Sequence, residues 1–280
     1  MLLKEVYIFA LVLTVVVLGI ELMMGRHRGI YSAADWKVNL VCILFGSSFV
    51  RPLGGLLIAA VWAMLLPQWR NALADLPVFM GFLIVALTSE FAFYWVHRFA
   101  HDGARKYRKL GWLWKLHRTH HSGKYMNVLL TFRMTLVWML IQPQAWVYGI
   151  AIYLGQGPAT ALVIGMVYFW NIITHSNFRW DDTIRRHPNG GRLLRAIEHV
   201  IVTPGLHHTH HGFGRDGANY RNFGVMFSLF DWMFGTLHIP NGRPAKYGLP
   251  GVNAHWAEEV FYPLIRMPEK VVSPNSRQDT

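Results

Sequence analysis

Apolar residues in this chain are gathered into blocks rather than alternating with polar ones. Several blocks reach the ~20 residues that a helix needs to cross a hydrocarbon core. Residues 5–24, EVYIFALVLTVVVLGIELMM, form the clearest block. The next, 38–66, carries Arg51 in its middle and reads either as two shorter pieces or as one tilted span. A third covers 77–96, and 127–154 and 158–175 form a pair separated by GQGP, a turn signal. The pattern predicts an all-α integral membrane protein with four to five transmembrane helices. The first block has too long an apolar core for a cleavable leader and no small-residue cleavage site after it, so it is expected to remain as an anchor.

Composition agrees with the blocks: 53% of residues are hydrophobic and only 15% charged. The single cysteine, Cys42, lies inside a block, which excludes an intrachain disulfide and a thiolate metal site. A net charge of +12 invites a nucleic-acid reading, but the charges flank spans. Arg98, Arg105, Lys106, Arg108, Lys109, Lys115, Arg118 and Lys124 form one group, and Arg179, Arg185, Arg186, Arg192 and Arg195 another. Basic residues at span ends mark the cytoplasmic side, so no nucleic-acid partner is expected. The 67–76 loop and the turn at 155–158 then fall outside, and residues 176–280 form most of a cytoplasmic helical cap. No internal repeat divides the chain. It reads as one membrane-embedded domain, 1–280, with N-terminal membrane helices to about 76, a motif-bearing catalytic region over 77–240 and a polar, flexible tail over 269–280.

Fifteen histidines are many for such an apolar chain, and their spacing is not random. His97 and His101 are four apart at the inner end of the third span; His117, His120 and His121, like His207, His210 and His211, are spaced i, i+3, i+4. On a helix those spacings share a face. His175 ends the last span at the same side of the membrane. Neutral imidazole is a ligand for iron, zinc, copper and nickel, and nine histidines exceed what one ion uses, so two metal ions fit the count. His208 lies between ligand positions and should point away; His199 leans away from ligation but stays open, and His27, His187, His238 and His255 read as interfacial or hydrogen-bonded residues.

The stretches EFAFYWVHRFAH (90–101), LWKLHRTHHS (113–122), HSN (175–177), TPGLHHTHHG (203–212), NYRNFG (219–224) and FDWMFGT (230–236) together resemble the fatty acid hydroxylase/sterol desaturase superfamily of membrane non-haem di-iron oxygenases. The resemblance implies that His97, His101, His117, His120, His121, His175, His207, His210 and His211 hold two iron ions. Some relatives supply a further histidine near His175, where this chain has Asn171 and Asn177, so a tenth ligand is left to Asn171, Asn177, His199 or water. Glu90 and Glu198 are expected to support ligating histidines, because such rings usually donate their other N–H to a carboxylate or carbonyl. Asp216 and Asn219 are weaker candidates, and Asp231 reads as a turn-stabilising residue.

The implied activity is O2-dependent hydroxylation, or desaturation, of an unactivated C–H bond of a membrane lipid such as a sterol or fatty acyl lipid. The lipid would pass Trp95, Phe99, Trp112, Trp114 and Trp180. No flavin, pyridine-nucleotide or haem segment is recognisable, so electrons are expected from a separate ferredoxin or b-type cytochrome with its reductase, docking on the basic face. The absence of a fused electron-transfer segment or a retrieval signal points to a bacterial inner membrane. Three rivals use the same histidines: a zinc-dependent membrane hydrolase, disfavoured because HExxH is absent; a metal transporter, disfavoured because transport sites lie near the midplane; and a membrane b-type cytochrome.

Overall fold

The computed structural model of the chain describes residues 2–25, 32–250 and 254–267. His27 and the polar tail over 269–280 lie outside the described residues. Four helices are long and apolar enough to cross a membrane: Lys4–Met23, Ala33–Leu65, Val78–Arg105 and Gly157–His175. Their outer faces carry exposed Ile8, Phe9, Leu11, Leu56, Phe79 and Leu162, while Thr14, Glu21, Asn39 and Ser89 are buried. Apolar outside and polar inside is the arrangement a lipid solvent demands, and the architecture is that of a multi-pass, all-α membrane protein.

Helix α1 (Leu2–Met23) runs to the end of the molecule that carries the histidines. There Glu21 accepts the backbone amides of Val128 (3.0 Å) and Asn177 (2.8 Å). The second block is one continuous 33-residue helix, built from α2 (Ala33–Val41), a π-helical segment (Cys42–Val50) and α3 (Arg51–Leu65). Ser32 opens it with a capping box to Asp35. Within the π-helical segment Gly46 lies against Met139, where any Cβ would collide with the Met139 side chain.

Helix α4 (Val78–Arg105) returns to the histidine end. Gly81, Val85, Ala86, Ser89, Glu90, Phe93, Tyr94, His97, Ala100 and His101 form one buried stripe at helical spacing, and Phe79, Met80, Leu83 and Leu87 face outward. The two histidines therefore continue the core stripe of a membrane helix.

The fourth apolar block, 127–154, is not a continuous span. It divides into a 3-10 turn (Val128–Thr131), α6 (Leu136–Ile141) and α7 (Pro143–Tyr153). Thr135 caps α6, and Pro143, which lacks an N–H and restricts the residue before it, starts a new helix after extended Gln142. The broken backbone is buried in protein, from Met126 to Met139, and so is sheltered from lipid. Helix α7 still reaches the far end: Asn71 and Leu73 donate backbone amides to the Tyr153 and Leu154 carbonyls (3.1 and 2.9 Å), placing the 67–76 loop beside the 155–157 turn. Helix α8 (Gly157–His175) then returns to the histidines.

The cap at the histidine end consists of α5 (Gly111–His121), α9 (Trp180–Arg186), α10 (Pro188–Ile197), α11 (Pro204–His211), α12 (Leu229–Met233) and α13 (Trp256–Phe261). The only strand pairing among the described residues joins Gly212–Phe213 to Lys246–Tyr247. A buried arginine ties the cap to the spans. Arg133, 1% exposed, reaches Glu259 (2.6 Å), Asp35 (3.0 Å) and Ser122 Oγ (3.0 Å), and so holds the end of α5 against α2 and α13.

Candidate metal centre

The nine histidines singled out in the sequence converge in two buried groups. Ring nitrogens of His97, His101, His117, His121 and His210 lie within 4.8 Å of one another, as do those of His120, His175, His207 and His211. The groups interlock. Helix α5 gives His117 and His121 to the first and His120 to the second; α11 gives His207 and His211 to the second and His210 to the first. On the shared face i+3 lies about 60° to one side of position i and i+4 about 40° to the other, so each three-histidine cluster can serve both groups. Across the boundary the rings of His121 and His211 stack at 4.4 Å.

The donors fit metal ions better than they fit one another. Nε2 atoms of His97 and His117 are 2.9 Å apart, His121 and His117 3.1 Å, His207 and His175 2.9 Å, His211 and His207 3.0 Å, and His175 and His120 3.3 Å. Two imidazole nitrogens each about 2.1 Å from a metal and at right angles around it are about 3.0 Å apart. A ring nitrogen has one in-plane position, N–H or lone pair. His117, His175 and His207 each face two other Nε2 atoms, so hydrogen bonds among the rings cannot satisfy them, whereas a cation within each group does. His101 Nε2 and His210 Nε2 are buried without a hydrogen-bond partner, which leaves them free for the same purpose.

Backbone carbonyls set several tautomers. His97 Nδ1 donates to Phe223 O (2.7 Å), His175 Nδ1 to Asn171 O (2.9 Å) and His210 Nδ1 to Arg221 O (2.8 Å), and each leaves a bare Nε2 turned to its group. Burial first, and neighbouring imidazoles second, hold His117, His121, His207 and His211 well below the ordinary imidazole pKa. Burial takes His210 down to about 4. Neutral rings are the form that ligates metal.

The carboxylates stand one step further out than the sequence suggested. Glu90 touches no histidine N–H; its Oε2 accepts the backbone amides of Met226 (2.8 Å) and Phe227 (3.3 Å). Asp231 accepts those of Phe223 and Gly224 (both 2.8 Å) and the Thr236 hydroxyl (2.7 Å), and burial pushes its carboxyl up to about 6. Together they hold the 223–227 loop whose Phe223 carbonyl orients His97. Glu198 pairs with Arg185 and accepts the Thr203 hydroxyl (2.6 Å), and Thr203 caps α11, so Glu198 sets the start of the helix that bears His207, His210 and His211. A backbone carbonyl leaves no mark in a sequence, which is why Asn171, Arg221 and Phe223 were missed in this role. Asn222, inside NYRNFG, joins Leu206 O (3.1 Å) to His238 O (2.8 Å) and has the left-handed φ of 57° that asparagine tolerates.

Other candidates fall elsewhere. Asn177 is engaged with Tyr125 and Arg179, and His199 with Arg195 O (2.7 Å) beside Trp232, away from both groups. Asn171 lines the same cavity as His120, His175 and His207. His208 meets Ser176 O (3.1 Å) and lies outside both groups. His187 and His255 cap α10 and α13. Asp216 is a surface residue beside Arg215 (3.7 Å).

A cavity of about 250 Å³ runs from His97, His117, His120, His175 and His207 into the membrane-spanning region, between α3, α4, α7 and α8. None of Trp95, Phe99, Trp112, Trp114 and Trp180 lines it. Trp114 instead packs at a tilt against His101 (5.0 Å), and Trp95 packs on Phe99 (5.6 Å) and Phe234 (4.9 Å). The long apolar helices leave their gap further into the bilayer, where Phe93, Met134, Tyr148, Val167 and Tyr168 form the wall.

Comparison with known proteins points the same way. The sequence model of the family described as "Fatty acid hydroxylase" matches residues 82–236. The chain is 27% identical over 180 residues to an alkylglycerol monooxygenase of Danio rerio, covering 63% of this chain and 35% of that protein. It is 26% identical over 166 residues to the Homo sapiens alkylglycerol monooxygenase, covering 57% and 31%. With the ornithine lipid hydroxylase OlsE of Rhizobium tropici it shares 29% identity over 188 residues, covering 64% and 46%. The chain thus spans between about a third and a half of the length of these relatives. No solved structure matches it.

Proposed function

Because the chain belongs to the fatty acid hydroxylase family, whose model covers more than half of it, we propose that it is a di-iron monooxygenase that hydroxylates a membrane lipid. The observation that carries this reading is the junction of two interlocked groups of neutral imidazoles with a cavity in the membrane-spanning region. His97, His101, His117, His121 and His210 would hold one iron, and His120, His175, His207 and His211 the other. When bound, the irons supply reductive activation of O2, with one oxygen atom going into a C–H bond and the other leaving as water at the expense of two electrons and two protons.

The chain's own residues do the rest. The carbonyls of Phe223, Asn171 and Arg221 keep the protons of His97, His175 and His210 on Nδ1. Buried Phe93, Met134 and Val225 line the approach and exclude water from the reacting carbon. The basic segments at the histidine end favour a cytoplasmic orientation and an acidic ferredoxin or b-type cytochrome as electron donor. Arg105, 4.4 Å over the Tyr220 ring, which lies 6.3 Å from that of His101, would offer such a donor an approach to the centre.

The histidines gather at one end of the spans rather than at the midplane, which favours an oxygenase over a transporter. The test is lipid analysis of cells expressing the chain under isotopically labelled O2. A lipid that gains one labelled oxygen atom, and loses it with His120→Ala, is expected. No labelled lipid from a chain that retains its metal and is supplied with reductant would contradict the reading.

A further inference from the structure

Arg133 is buried and Arg51 partly so, and their surroundings differ. Arg133 is paired with two carboxylates, Asp35 and Glu259. Arg51 has none: among the described residues no carboxylate lies within ion-pair distance of it. Its partners are neutral, with Nη1 donating to Tyr168 OH (3.1 Å) and Nη2 to Gln142 Oε1 (2.8 Å), and Nη2 also lying 3.5 Å from Met134 Sδ. Gln142 gives its own Nε2–H to Met134 Sδ (3.2 Å), so its oxygen is left for the guanidinium. Arg51 lines the cavity that begins at the histidines, together with Tyr7, Gln144 and Tyr148.

Its depth follows from the helices. Tyr168 precedes His175 by seven residues on α8, one face and about 10 Å along the axis. Arg51 stands fourteen residues, about 21 Å, from the far end of α3 at Leu65. The guanidinium therefore lies within the hydrocarbon layer, on the membrane side of the histidines. A charge there is costly unless something pairs with it, and the fork of guanidinium N–H groups matches a carboxylate or a phosphate. Arg51 and Gln142 also lie outside or apart from the histidine motifs, and Arg51 precedes the stretch matched by the family model.

We propose that Arg51, supported by Gln142 and Tyr168, is a substrate-recognition station that receives an anionic oxygen group of an amphiphile whose carbon chain reaches the histidine centre. This rests on the hydroxylase reading for what happens to that chain. It makes Arg51 a specificity-determining residue, because the distance from the station to the centre selects which carbon is presented.

The test is equilibrium binding of three amphiphiles with sixteen-carbon chains to the full chain in neutral detergent, without reductant and at mildly alkaline pH: hexadecanoate, hexadecyl phosphate and the neutral monohexadecanoyl glycerol. The unsubstituted protein should prefer an anionic amphiphile, and which of the two it prefers identifies the headgroup chemistry. Arg51→Gln should weaken anionic binding by about ten- to a hundredfold and leave the neutral amphiphile unchanged, while Arg51→Lys keeps much of the preference. Equal binding of all three by the unsubstituted protein, or equal weakening of all three in Arg51→Gln, would overturn the proposal. Because no turnover is read, a charge preference in a chain that oxidises no lipid would sink the hydroxylase reading and leave this one standing.

Discussion

The two histidine groups share helices α5 and α11, but the first is completed by α4 and the second by α8, and they differ in number and in neighbours. The first has five nitrogens, from His97, His101, His117, His121 and His210, with Trp114 packed at a tilt against two of its rings. The second has four, from His120, His175, His207 and His211, and Asn171 is beside it on the cavity wall. A metal with fewer protein ligands keeps a position for an exchangeable one. On the di-iron reading, the five-nitrogen group would be the more closed and the four-nitrogen group would leave room for an exchangeable ligand.

Removing single ligands should give the largest effects and expose that inequality. His120→Ala leaves three nitrogens in its group and His121→Ala leaves four, so metal analysis should show His120→Ala losing the ion of its group more completely. Activity should fall by about a hundredfold or more in either variant. Equal metal loss in the two would erase the distinction.

Arg133→Met comes next, and it should harm both groups together, because Arg133 secures the end of α5, which feeds both. Leaving Asp35 and Glu259 buried without their cation should cost about 3–5 kcal/mol. A lowered thermal midpoint with parallel loss of both metals is the expected result.

Asp231→Ala is narrower. It frees the amides of Phe223 and Gly224, costing about 1–3 kcal/mol, and loosens the carbonyl that orients His97. Metal affinity of the five-nitrogen group should drop about tenfold to a hundredfold while the other group holds, which two-phase metal titration would resolve. His199→Ala should do least: its ring contacts Trp232 and a carbonyl, so metal content should be unchanged and stability should stay within about 0.5 kcal/mol of the parent.

How much of this was readable in the sequence depends on what kind of group does the work. The spans at 5–24, 77–96 and 158–175 were legible because lipid-facing helices need uniform apolar blocks. The block at 127–154 misled, since a buried segment broken at Thr135 and Pro143 is as apolar as a span. Eight of the nine histidines were legible because spacings of three and four are a property of one helix, and His175 because it ends an apolar span. Their division between two groups was not, because it depends on how α5, α8 and α11 face one another. The supporting groups were the least visible: carbonyls of Asn171, Arg221 and Phe223 have no residue type, and Glu90 and Glu198 work through backbone and cap rather than on the rings. Arg51 was conspicuous as a charge inside a span, but only its lack of a carboxylate partner, beside Arg133, gives it meaning.

The central claim is that two irons share nine imidazoles, and it is tested most directly by the metal content per chain of full-length protein purified without oxygen from iron-replete cells. Close to two irons per chain is expected, one for each group. A folded chain that holds a single metal ion, or zinc alone after metal exchange during purification has been excluded, would contradict it.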